Sequence, residues 1–126
     1  MNAVLWVLQV LLALAFFAHG LLFLTPPPDI AVQMNASMPR WFQLFLGVAE
    51  VLAAVGLILP GVTRVLPSLV VWAAAGIMFV LASATIFHVI RSEWSSAAVT
   101  LLLFAVATFV AYMRFRVLPI HARRAA

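Results

Sequence analysis

Glu50 lies near the middle of the apolar run Trp41 to Leu59, in a sequence with only three acidic residues. A charged side chain at that depth in lipid costs roughly 3 kcal/mol or more, so such a residue faces a protein interior, pairs with a partner or stays protonated. Few groups could join it. Counting inward at about 1.5 Å per residue from the far end of each apolar run places Gln43 and His88 about 3 Å deep, His19 and Thr85 about 8 Å, Ser83 about 10 Å and Glu50 about 13 Å. Gln43 and Glu50 stand seven residues apart and share one helical stripe, and Thr85 and His88, three apart, share another. Gln9 lies deeper and stands apart.

A buried carboxyl and an imidazole can exchange a proton, which makes Glu50, His19 and His88 the candidates for acid/base chemistry such as an isomerisation. The wider set of Glu50, Gln43, His19, His88, Thr85 and Ser83 could equally hold the polar head of a lipophilic ligand. The plainer alternative is hydrogen bonding between helices, worth about 0.6 to 2 kcal/mol per contact in a membrane. Two histidines and one glutamate on separate helices lack the local spacing of a zinc or iron site, so no metal is assigned. Haem between His19 and His88 is disfavoured as well, although a four-helix bundle can house one. The sequence has no cysteine, which excludes disulfides, cysteine-ligated clusters and thiol nucleophiles together. The cofactor is left unknown.

These groups must be positioned by membrane helices. The chain of 126 residues is 67% hydrophobic and 8% charged, with a mean hydropathy of +1.24, whereas soluble domains are roughly half apolar and a quarter charged. Four apolar runs approach the ~20 residues needed to cross the hydrocarbon core: residues 3–24, 41–59, 66–90 and 96–113. The fold class expected is an all-α membrane protein, a bundle of four transmembrane helices forming one domain over residues 1–126. The first run has no basic flank and is too long for the apolar part of a signal peptide, so it reads as a span.

An even number of spans puts both termini and the Pro60 to Pro67 loop on one side. That side carries Arg64, Arg114, Arg116, Arg123 and Arg124, against Arg40 and Arg91 on the other, and the positive-inside bias then places both termini in the cytoplasm. The net charge of +4 is explained by this asymmetry, so nucleic acid is not expected as a partner; the bilayer is. The connection Thr25 to Arg40 opens with Pro26, Pro27 and Pro28, which favour an extended exit. Asp29, Ile30 and Met34 suit a brief interfacial helix after it. Pro39 fits the start of the second span, and Pro60 with Gly61 is expected to end it. Gly47, Ala53 and Ala54 on the Glu50 face, and Ala73 to Gly76 in the third run, are small residues of the kind that let membrane helices pack closely. Those around Glu50 direct it into the bundle.

The segments WVLQ at Trp6 to Gln9, ALAFFAHG ending at Gly20, FLGVAEVLAAVGLILPG from Phe45 to Gly61, and FHVIRSE around His88 resemble the DoxX-like membrane proteins. The resemblance implies a compact bundle of four helices in a bacterial inner membrane. The family takes its name from a subunit associated with thiosulfate and quinone oxidoreduction, which implies a lipophilic ligand such as a quinone or lipid, or an accessory place in a redox or envelope complex, with a protein partner or a homo-oligomer. Family members often carry a Lys soon after the glycine that matches Gly20. Here the residues are Leu21, Leu22 and Phe23, and His19 stands in as the candidate partner of Glu50.

Overall fold

The computed structural model describes residues 1–124. It contains α1 (Asn2–Leu24), α2 (Pro28–Ser37), α3 (Arg40–Thr63), α4 (Leu69–Ile90) and α5 (Trp94–Tyr112), the last continued by a π-helical turn over Met113–Val117. There is no strand among the described residues. The four long helices α1, α3, α4 and α5 are each long and apolar enough to cross a bilayer. Their outer faces present Leu14, Phe17, Leu52, Trp72, Phe79 and Leu102, an apolar surface suited to lipid contact.

Proline chemistry shapes the connection between α1 and α3. Pro28 does not prolong an extended exit; it occupies the first turn of α2 after the N-cap Pro27, where its preset φ suits a helix and its missing N–H would have had no partner. Asp29 sits in that first turn but makes no side-chain cap, so it complements the helix dipole rather than closing a capping bond. Pro39 is the N-cap of α3. Arg40 then reaches back to α1 and donates from Nη1 to the Phe23 carbonyl and from Nη2 to the Leu24 carbonyl, both at 2.7 Å. Two of α1's terminal acceptors are thereby satisfied.

Contrary to the expected stop at Pro60 and Gly61, α3 runs through both to Thr63 and ends at Arg64 in a left-handed conformation (φ 60°). Pro60 lies in the last turns, where few residues remain for its missing bond to disturb. Gly61 is held by close packing: a Cβ there would lie 2.8 Å from the Trp6 ring.

Packing is most extensive between α1 and α3 and between α4 and α5, with α3 against α4 joining the two pairs and only a limited contact closing α1 onto α5. The core is a column of Leu12, Phe16, Ala54, Leu57, Ala74, Ile77, Leu81, Ala107 and Val110. Small residues set the approach of α1 to α3. A Cβ at Gly20 would meet the Gly47 carbonyl at 2.9 Å, and one at Gly47 would meet Leu24 at 2.8 Å. Gly56 similarly accepts Ala73 of α4. Gly76, by contrast, has open space before it; only Ala73 and Ala74 of that cluster turn inward.

Candidate functional site

Glu50 is 3% exposed and faces α1 where Gly20 and Gly47 let the two helices approach. Its Oε2 lies 2.7 Å from Nδ1 of His19. His19 itself is 56% exposed, so the pair has one sealed member and one open member. With Nδ1 engaged, Nε2 is the ring nitrogen left for a ligand, and either member of the pair can hold the shared proton. Phe23 packs edge-on against the imidazole at 4.8 Å.

The pair forms one wall of a cavity of about 480 Å³ between α1, α4 and α5. Phe16, Val80, Leu81, Val99 and Leu103 supply apolar walls, and His88, Ser95, Ser96 and Thr100 add polar groups. A mostly apolar cleft of this size with a few convergent polar groups has the character of a small-molecule site. A second cavity of about 560 Å³ shares His19 and His88 with the first and extends between α2 and the α4–α5 turn to Arg91 and Glu93.

The α4–α5 turn gives His88 its own carboxylate. Ser92 N–H donates to Val89 O at 3.0 Å and Glu93 N–H to His88 O at 2.9 Å, a Schellman closure in which Ser92 takes the left-handed position (φ 56°) that glycine usually fills. This fold-back places Glu93 Oε2 2.6 Å from His88 Nδ1 and its Oε1 2.6 Å from Arg91 Nε. The carboxyl of Glu93 is held below the usual carboxylate range, first by the Arg91 guanidinium and then by the His88 ring.

Of the six residues singled out from the sequence, the structure brings His19, Glu50 and His88 to the main cavity. It places the other three elsewhere. Gln43 is fully buried, donating to Asn35 Oδ1 and the Met38 carbonyl while accepting from Arg40, so it ties the end of α2 to α3. Thr85 meets Thr100 at 2.9 Å between α4 and α5. The exposed Ser83 donates to the Phe79 carbonyl of its own helix. Among the described residues, no three His, Asp or Glu side chains gather as metal ligands do.

A polar centre missed in the sequence lies at the other end of the bundle. Arg114, expected outside the membrane as a topological charge, is 3% exposed, because the π-helical turn carries it inward beyond the end of α5. Its Nε donates to Gln9 Oε1 at 2.6 Å and its Nη1 to Asn2 Oδ1 at 2.7 Å, and Gln9 in turn donates to the Leu57 carbonyl at 2.8 Å. The sequence signal for this centre was the pair Asn2 and Gln9, which at seven residues apart lie on one stripe of α1.

Four apolar helices that set a buried Glu50 against His19 define a multi-pass membrane protein of the small four-helix class. Residues 7–110 match the DoxX-like family, and the chain belongs to it. No curated protein and no solved structure matches the chain.

Proposed function

We propose that the chain binds a lipophilic small molecule with a polar oxygen-bearing head, of the quinone or lipid type, in the cavity between α1, α4 and α5. The observation that carries this reading is the His19–Glu50 pair, set at 2.7 Å into the wall of an otherwise largely apolar cavity. A carbonyl or hydroxyl head would meet His19 Nε2, and Glu50 behind it would supply or take the proton. In that capacity the chain serves as a ligand-holding subunit of a redox or envelope complex in a bacterial inner membrane.

The same pair supports a second reading, an acid/base enzyme such as an isomerase, because a proton donor and a proton acceptor already stand at hydrogen-bond distance. Both readings place the termini in the cytoplasm. With Arg114 buried, the exposed Arg64, Arg116, Arg123 and Arg124 on the termini side still outnumber Arg40 and Arg91, and Arg91 is paired with Glu93.

Native mass spectrometry of gently extracted protein tests the proposal. The expected result is a co-purifying lipophilic molecule that His19→Ala and Glu50→Ala both lose. Wild-type protein without a bound molecule, or equal retention by both folded variants, would count against it. Turnover of a substrate by purified protein would favour the enzyme.

A further inference from the structure

Arg114 carries a charge that no acidic side chain among the described residues answers. The three acidic residues of the sequence are Asp29, Glu50 and Glu93; Glu50 bonds to His19 and Glu93 to His88 and Arg91, and Asp29 lies in α2 at the end of the bundle opposite the termini. Among the described residues the acceptors of Arg114 are all neutral: Gln9, Asn2 and the Leu118 carbonyl. The ring of Trp6, 5.3 Å from the guanidinium carbon, adds a cation–π contact. Nη2 is buried and has no acceptor among the described residues. A buried cation within a membrane-spanning segment calls for an anion, and an arginine fork suits a phosphate oxygen in particular.

Arg114 also forms part of the wall of a cavity of about 350 Å³ at the termini end. Leu66, Val70, Phe115 and Ile120 make it largely apolar, and Ser68 adds a hydroxyl that makes no capping bond to α4. Pro119, Ile120 and Ala122 of the C-terminal tail complete its wall. Arg123 N–H donates to Arg64 O at 2.9 Å and Arg64 Nε to His121 O at 3.0 Å, which ties the tail to the end of α3. These tail residues lie outside every helix, so that side of the cavity is closed by irregular backbone and not by a packed helix. Exposed Arg64, Arg116 and Arg123 surround the same end, and basic pockets between membrane helices are known to take anionic lipid headgroups.

We propose that this cavity is a binding site for the phosphate of an anionic phospholipid, with Arg114 Nη2 as its principal donor. The shared chemistry is a phosphate oxyanion, and the apolar walls favour a lipid over free phosphate. The site is remote from the His19–Glu50 cavity and does not depend on what binds there.

The test is native mass spectrometry of the full chain in micelles containing equal amounts of phosphatidylglycerol and phosphatidylcholine. Wild-type protein should retain one phosphatidylglycerol per chain in preference to phosphatidylcholine. Loss of one charge-assisted bond should weaken that retention about tenfold or more in Arg114→Gln. That variant also breaks the bonds to Gln9 and Asn2, so Val71→Trp is paired with it: Val71 lines the cavity from α4, and the larger side chain fills the space with Arg114 untouched. His19→Ala, which should lose the ligand proposed above, should retain the lipid, because His19 has no part in this cavity, and that difference separates the two sites. Equal retention of the two lipids by the wild type, or undiminished selectivity in the folded variants, overturns the proposal. Displacement of the lipid by ~10 mM inorganic phosphate would keep the oxyanion site and overturn its lipid source.

Discussion

His19 Nδ1 and Glu50 Oε2 meet at 2.7 Å across two helices whose backbones are brought together one residue beyond His19, at Gly20, and three residues before Glu50, at Gly47. The polar pair and the glycine contact are one arrangement. A side chain at Gly20 would push α3 away and lengthen the bond, because its nearest neighbours include the Gly47 backbone carbonyl, which cannot rotate aside.

Gly20→Ala should therefore destabilise the bundle by about 1–3 kcal/mol, the usual cost of overpacking, and should weaken ligand retention at the same time. Gly76→Ala is the control. Nothing lies within 4 Å of a Cβ there, so alanine should stabilise α4 by about 0.5–1 kcal/mol through its better helix propensity. Unfolding in detergent, followed by circular dichroism, measures both; equal effects of the two substitutions would mean that the close approach of α1 to α3 is not what Gly20 supplies.

The turn that pairs His88 with Glu93 rests on Ser92 at φ 56°. A left-handed conformation costs a non-glycine residue roughly 1–2 kcal/mol, partly offset on substitution by the greater freedom glycine has when unfolded. Ser92→Gly should raise stability by about 0.5–1 kcal/mol and leave the Glu93 bonds in place. A decrease on thermal unfolding would contradict the Schellman geometry.

Glu93 should make stability depend on acid. Its carboxyl is held below its ordinary value of 4.5, chiefly by Arg91 and then by His88. A group whose folded pKa is depressed contributes stability that is present above the unfolded value and lost as pH falls through the folded one. The thermal midpoint of wild-type protein should thus drop below about pH 4.5 more steeply than that of Glu93→Gln. Parallel curves for the two proteins would remove Glu93 from the account.

What was legible in the sequence was depth; what was not was direction around each helix. Glu50 could be turned inward because Gly47 and Ala54 mark the packed face, and His19 lay close enough in depth to reach it. Ser83 shared that depth but sits five residues from His88, roughly 140° around a 3.6-residue helix, and its hydroxyl is satisfied within its own helix. Gln43 shared a stripe with Glu50, yet the short helix α2 folds down and claims its amide through Asn35. Arg114 was illegible for another reason. Beyond Met113 the apolar pattern stops and an arginine reads as interfacial, whereas a π-helical turn shifts the register of the backbone and brings Met113 and Arg114 inward together.

The last prediction separates chemistry from structural support at Glu50. Glu50→Gln keeps the size of the side chain and can still hydrogen-bond His19 Nδ1, but it cannot exchange a proton. If the carboxyl only joins α1 to α3, the variant should lose no more than about 0.6–2 kcal/mol, the worth of an interhelical bond in a membrane, and should keep its ligand. If Glu50 hands a proton to His19, the variant should fold and bind but fail in any step that protonates the bound head. His19→Ala is the necessary companion, because it opens the same bond from the exposed side, leaves Glu50 buried without its partner, and removes the group that would touch the ligand. Binding should fall in His19→Ala and persist in Glu50→Gln, with thermal unfolding in detergent recorded on both. Binding lost equally in two folded variants would make Glu50 part of the ligand's anchor, and full activity in Glu50→Gln would leave proton transfer through this carboxyl without support.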